Sequence, residues 1–225
     1  MKYPIVEMFC SINGEGLRAG EPAIFVRLAG CNLQCSYCDT AWANQNDTIF
    51  EEKTEQEIAD YINSQGIWNV TLTGGEPLLN KNIGVLCHFL IENTKCRIEI
   101  ETNGSISLQE MAELRKKYNL RVSFTMDYKM PESNMESHML QSNFQYLTVI
   151  DVVKFVASSK RDMDRGIELI RQNHLTQHAK VYFSPVFGKI KLEDMANYIV
   201  DNKLNDVKMQ LQMHKFIWDP NQRGV

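Results

Sequence analysis

AIFVRLAGCNLQCSYCDT, residues 23 to 40, runs from an apolar, β-rich stretch into three cysteines at C-x3-C-x2-C spacing, with no fourth cysteine nearby. A strand that opens into a loop of metal-binding side chains is expected where a parallel sheet presents its carboxyl ends to a ligand. Further β-rich runs follow: NVTLTGG (69 to 75), RIEIETNG (97 to 104), RVSFTMDY (121 to 128), VVKFVA (152 to 157), AKVYFSPV (179 to 186) and VKMQLQM (207 to 213). Between them lie segments of helical spacing. In TEQEIADYINSQG, Thr54 precedes Glu57 in capping-box order and Gly66 follows as a stop signal. SLQEMAELRKKYN and SSKRDMDRGIELIRQN repeat the theme. Strands alternating with helices predict parallel βαβ units, and six or seven of them predict an α/β fold, an open or partial (β/α) barrel.

Two stretches break the alternation. The connection from Cys31 to about Thr54 exceeds the usual few-residue βα loop, which marks it as functional. KMPESNMESHMLQSNFQYL, from Lys129, offers no clean helix. The unusual residues fall where a barrel would gather them. The cysteine loop follows the first of these runs, TGGEP the second, ETNG the third, MDYK the fourth, SPV the sixth and HK the last. All would converge on the rim formed by the strands' carboxyl ends.

Composition bounds the reading. A chain of 225 residues, 44% hydrophobic and 23% charged, suits one domain spanning residues 1–225. No basic segment precedes a long apolar run at the start, and no stretch approaches ~18 apolar residues, so a soluble, cytoplasmic protein with no membrane partner is expected. A net charge of -4 without a lysine or arginine block argues against a nucleic-acid partner. Cys10, Cys87 and Cys96 are scattered and read as small buried residues, and the crowding of Cys31, Cys35 and Cys38 fits metal ligation better than disulfides. The G-x-G of GEGLRAG is no dinucleotide fingerprint, because no strand is evident before it and no helix after it.

Three crowded cysteines read as ligands of one of two occupants or as reduced structural thiols. A zinc site would need a fourth ligand such as His88 or Asp39. A [4Fe–4S] cluster held by three cysteines leaves one iron open to a small molecule. Followed by the Gly-Gly-Glu-Pro turn, the cysteine motif resembles the radical S-adenosylmethionine (SAM) superfamily. The resemblance implies a partial (β/α)6-type barrel in which SAM chelates the open iron and is cleaved by one-electron reduction. It places SAM against Tyr37, Cys38, Asp39, Gly74, Gly75, Glu76, Thr102, Asn103, Asp127, Tyr128 and Lys129. At the fourth strand many relatives read Ser-Pro-Lys and only the lysine matches. Glycines at 74 and 75 would let backbone approach a ligand closely, and Glu76 could accept from the SAM ammonium.

INGEGLRAGEPAIFVRLAGCNLQCSYCDT and the closing HKFIWDPNQRGV are similar to the 7-carboxy-7-deazaguanine synthase family of queuosine-precursor biosynthesis. By that resemblance the substrate is 6-carboxy-5,6,7,8-tetrahydropterin, contracted with loss of ammonia, and no catalytic residue is needed beyond the cluster and SAM. Ile12, Asn13, Gly14, Glu15, Arg27, Thr73, His214 and Val225 would bind substrate, with Asn13 replacing a more familiar glutamine. Thr40 would bind Mg²⁺. Arg27 lies in an apolar strand, where a guanidinium needs an anion, either the substrate carboxylate or an acid on a neighbouring strand such as Glu99 or Glu101. A homodimer and a flavodoxin- or ferredoxin-type electron donor are also implied. The rival readings are a radical SAM activase that makes a glycyl radical on a protein partner and a zinc-bound interaction module.

Overall fold

The computed structural model describes residues 1 to 225, and every strand joins one nine-stranded sheet. It opens with an antiparallel hairpin, β1 (Lys2–Ile12) and β2 (Pro22–Leu28), with β3 (Glu51–Thr54) along the far edge of β1. β4 (Asn69–Gly74), β5 (Arg97–Thr102), β6 (Val122–Tyr128), β7 (Val152–Ala157), β8 (Lys180–Pro185) and β9 (Val207–Met209) then add to β2 in sequence order, all parallel. β3 and β9 remain the two edges, so the barrel is partial and open. Every run expected to be a strand is one. β1 and β3 were not expected, and β1 corrects one point: a strand does lead into GEGLRAG. No helix follows, since the chain returns directly as β2.

The connecting helices are α1 (Glu55–Gln65), α2 (Ile83–Asn93), α3 (Gln109–Tyr118), α4 (Lys160–Gln172) and α5 (Leu192–Asp201), with a short α6 (His214–Ile217) after β9. α1 starts and stops as its sequence signals. Thr54 Oγ1 accepts from the Glu57 N–H at 3.3 Å, the Glu57 carboxylate accepts from the Thr54 N–H at 2.8 Å, and Gly66 closes the helix at φ 67°. The stretch after β6 forms three 3-10 turns, Pro131–Ser133, Glu136–His138 and Gln141–Tyr146, in place of a helix. Asn143 fixes it in place. Its buried amide donates to the carbonyls of Gly104 and Ile106 and accepts from the Leu108 N–H.

Strand alternation divides the sheet into two unlike faces. Val70, Leu72, Ile98, Ile100, Val122, Phe124, Met126, Phe155 and Phe183 are buried in one core that also takes in side chains of the helices. Burying each such side chain contributes about 1.5–3 kcal/mol. The intervening positions, Thr71, Thr73, Glu99, Glu101, Ser123, Thr125, Asp127, Lys154, Tyr182 and Ser184, line the inside of the partial barrel. No helix is long and apolar enough to cross a membrane.

Candidate active site

The cysteine loop leaves β2 through Gly30, at φ 88°, and is pinned from several sides. Leu28 O accepts from the Gly75 N–H at 3.1 Å and Gly30 O from the Glu76 N–H at 2.9 Å. The Ser36 N–H donates to Ser133 O at 3.1 Å, the Tyr37 hydroxyl to Val156 O at 3.1 Å, and Lys215 Nζ lies 2.9 Å from Asp39 Oδ2. Segments following β4, β6 and β9, and the carboxyl end of β7 itself, therefore meet on the loop that follows β2. The segment after β5 joins them, since Asn103 Nδ2 donates to Cys31 Sγ at 3.6 Å and to Asn32 Oδ1 at 3.1 Å.

The thiols themselves fit an open-iron cluster. Cys31 and Cys35 are half-buried and Cys38 is exposed, all on one short loop, and Cys31 Sγ also accepts from the Leu33 N–H at 3.4 Å. Burial pushes the Cys35 and Cys38 thiols up, with Lys129 opposing, so the thiolates depend on ligation. Neither fourth zinc ligand is supplied: His88 packs edge-on against Tyr118, ring centroids 4.7 Å apart, and Asp39 is held by Lys215 and by the Thr40 hydroxyl at 3.0 Å. No three His, Cys, Asp or Glu side chains gather at the spacing of a single ion. Cys87 and Cys96 are buried as expected. Cys10 is exposed, a correction, because it lies on β1 beyond the part paired with β3.

The GGEP and ETN turns are tied to each other. A Cβ on Gly74, at φ 140°, would stand 2.1 Å from Leu28 O, and one on Gly75 would stand 1.9 Å from Gly30 O. What requires these glycines is the approach of two backbones, where the sequence pointed to a ligand. Glu76 is buried, and its carboxylate accepts from the Leu78 N–H at 3.0 Å, the Thr102 hydroxyl at 2.8 Å and the Asn103 N–H at 2.6 Å. Its acceptors and the Thr102 hydroxyl are thus spent inside the protein. Tyr128 is turned into the helix-side core, stacked on Phe144 with centroids 5.6 Å apart, and can offer a ligand only backbone. Asp127 and Lys129 do face the site, with Lys129 Nζ 3.1 Å from Asp127 Oδ2.

The turn between β1 and β2 enters the barrel instead of joining its rim. Gly14 receives His214: a Cβ there would lie 2.4 Å from His214 Nδ1, and Gly14 O accepts from the Met213 N–H at 3.1 Å. Gly16 pairs with Gln210 through two hydrogen bonds of 2.8 and 2.9 Å. Arg18 Nη1 donates to Glu99 Oε2 at 3.3 Å and Ser123 Oγ at 3.1 Å, and Glu99 also accepts from the Thr125 hydroxyl. Glu15 reaches furthest. Its Oε2 lies 2.9 Å from Lys154 Nζ, and its Oε1 accepts from Ser184 Oγ at 3.0 Å. Asn13, next to Ile12 at the end of β1, accepts from the Thr71 hydroxyl at 2.9 Å, and its buried Nδ2 has no partner. Thr73 is buried on the same face.

Arg27 is paired, but with Glu7, its register neighbour on β1, at 2.7 Å; the acid expected at Glu99 or Glu101 lies across the intervening β4. Only Nε is used, which leaves both Nη groups for a ligand. The Trp42 ring lies 5.8 Å from the Arg27 guanidinium carbon and 4.0 Å from that of Arg223, which brings Arg223 of the tail near Arg27, and Val225, two residues further on, is half-buried. Burial lowers the pKa of His214 against the pull of Glu15 and Asp39. Lys154 and Glu101 were missed as site residues. Burial, joined by the Glu99 and Glu15 carboxylates and opposed by Lys154, raises Glu101 to about 7. The signal for Lys154 was present, since it interrupts VVKFVA as Arg27 interrupts AIFVRLAG.

Comparison with known proteins follows the same lines. The family description "Radical SAM superfamily" matches residues 25–200. A 7-carboxy-7-deazaguanine synthase of Clostridium acetobutylicum is 50% identical over 225 residues, covering 100% of both chains. One from Leptospira interrogans serogroup Icterohaemorrhagiae serovar Lai is 33% identical, covering 100% of this chain and 99% of its own. The crystal structure of QueE from Escherichia coli superposes with a TM-score of 0.71 over 95% of each chain at 21% identity, a likeness of fold.

Proposed function

The chain belongs to the radical SAM superfamily and, within it, to the 7-carboxy-7-deazaguanine synthase family, and on that premise we propose that it contracts 6-carboxy-5,6,7,8-tetrahydropterin to 7-carboxy-7-deazaguanine with loss of ammonia, in queuosine and 7-deazapurine biosynthesis. Its relatives favour this reading over a glycyl-radical activase. The observation that carries it is a single rim where the three-cysteine loop and the GGEP and ETN turns adjoin an interior lined by ammonium and carboxylate groups.

Cys31, Cys35 and Cys38 hold the cluster. With SAM, it supplies the one-electron chemistry that generates a carbon radical able to take a hydrogen atom from substrate. Tyr37 and Asn103 border the cofactor half, and Asp127 and Lys129 supply its charged side chains. The Nη groups of Arg27 take the substrate carboxylate as a bidentate pair. Glu15, Asn13 and His214 meet the amino-pyrimidinone edge, where the unpartnered Asn13 Nδ2 gives a donor and Glu15 an acceptor. Thr40 would offer its hydroxyl oxygen to Mg²⁺, a hard cation suited to oxygen ligands. A cytoplasmic homodimer fed by a flavodoxin- or ferredoxin-type donor completes the proposal. Anaerobic incubation with SAM, a reductant and the carboxytetrahydropterin, read by mass, tests it. Formation of the deazaguanine is the expected result, and 5′-deoxyadenosine without it would defeat the substrate assignment.

A further inference from the structure

Lys154 sits in the middle of β7, 4% exposed, with an ammonium that has to be paired inside the protein. It meets two carboxylates from different parts of the site. Nζ donates to Glu15 Oε2 at 2.9 Å and lies 2.9 Å from Asp127 Oδ1, an ion pair without the alignment of a hydrogen bond. Asp127 offers its other oxygen to Lys129 at 3.1 Å, and Glu15 is further held by Ser184 at 3.0 Å and Gln212 at 3.4 Å. A row of alternating charge therefore runs from Lys129 through Asp127 and Lys154 to Glu15. It starts in the half of the site assigned to SAM and ends in the half assigned to the pterin. The pair of Arg18 and Glu99 is different, since it links the β1–β2 turn to β5 and β6 without reaching Asp127.

Two acids that share one ammonium compete for it. SAM carries a net positive charge, that of its sulfonium, and positive charge arriving beside Asp127 weakens that acid's hold on Lys154. The ammonium is then freer to hold Glu15 ionised and oriented toward the pterin N–H donors. We infer that Lys154 is a positioning residue that couples the two half-sites, so that SAM tightens pterin binding and the pterin tightens SAM binding by the same factor. The inference rests on the reading above, which gives Asp127 and Lys129 to SAM and Glu15 to the pterin. Reciprocity follows from thermodynamic linkage.

The test uses anaerobically reconstituted, cluster-loaded protein without reductant, so that SAM is not consumed. Calorimetry measures pterin affinity with and without saturating SAM, and SAM affinity with and without pterin. Native protein is expected to show the same tightening in both directions, about fivefold or more. Lys154→Gln, with native iron content as its folding control, brings the ratio to about one. Ser184→Ala removes a Glu15 partner but leaves the bridge, so it weakens pterin binding and keeps the native ratio. A native ratio of one, an unchanged ratio in Lys154→Gln, or equal loss in Ser184→Ala overturns the inference alone. Native protein that binds SAM but no pterin under either condition overturns the substrate reading and this inference with it.

Discussion

On β5 the side chains of Ile98 and Ile100 are fully buried in the helix-side core, while those of Glu99 and Glu101 stand on the opposite face, inside the partial barrel. The same split continues onto β6, where Phe124 and Met126 alternate with Ser123, Thr125 and Asp127. A closed (β/α)8 barrel fills its interior with branched apolar residues. Here the interior is filled by ion pairs, by the turn from Asn13 to Arg18 and by the tail around His214. Stability therefore resides on one face of the sheet and ligand chemistry on the other, with neighbours in sequence serving different ends.

The sharpest way to break that division is at the cysteines. Replacing Cys31, Cys35 or Cys38 by Ala should abolish the cluster, whereas Cys87→Ala, in the helix-side core, and Cys10→Ala, on the part of β1 that β3 leaves uncovered, should retain it. Iron and sulfide analysis with the visible absorption of anaerobic protein decides. Equal loss in all five variants would erase the distinction between the two faces.

Next in size is a pair of neighbours on β6. Phe124→Ala removes a fully buried ring and should cost about 3–5 kcal/mol of stability. Thr125→Val keeps the shape but takes one donor from Glu99, which should cost about 1–3 kcal/mol. Urea unfolding of both variants measures the contrast. A Thr125→Val loss as large as that of Phe124→Ala would mean that the inner face carries the fold as well.

The sequence made one face far more legible than the other. The parallel strands were readable because β-branched runs recur between helical segments, and α1 because Thr54, Glu57 and Gly66 signal locally. The cysteine spacing marked the loop proposed to hold the cluster for the same reason. What was hidden depends on long-range contact: Gly16 meets Gln210 across 194 residues, and Glu76 is consumed by Thr102 and Asn103. One omission also produced another. With β1 unrecognised, Glu7 could not be placed beside Arg27, and the partner was sought on β5, two strands away from β2 on the other side.

At the rim, where the two faces end, Mg²⁺ should raise turnover on the order of tenfold, or about 1.4 kcal/mol, and Thr40→Val should remove most of that rise. The substitution preserves shape and removes only the hydroxyl that now donates to Asp39. A magnesium titration of steady-state turnover in native and variant protein measures it. An unchanged response would return Thr40 to the role of a turn residue.

The effect spread most thinly, over more than two pH units, is on the pH dependence of stability, and it separates Glu101 from the ion-paired acids around it. Burial raises its carboxyl from 4.5 to about 7, with Glu99 and Glu15 adding to the shift and Lys154 opposing it. Asp127 moves the other way: burial opposes its ionisation, but Lys129 and Lys154 outweigh burial and lower its pKa. For Glu101 the folded chain keeps a proton that the unfolded chain has already released, so its stabilising share is complete below about pH 4.5. That share is lost as pH rises through about 7, with a slope bounded by roughly 1.4 kcal/mol per pH unit for one linked proton. Glu101→Gln cannot ionise and should flatten this part of the profile while leaving the contributions of Asp127 and His214 in place. Urea midpoints of native and variant protein at intervals from about pH 5 to about pH 8 give the two slopes. Parallel slopes would show that Glu101 is paired or solvated like its neighbours, and that the inner face holds no carboxyl poised near neutrality.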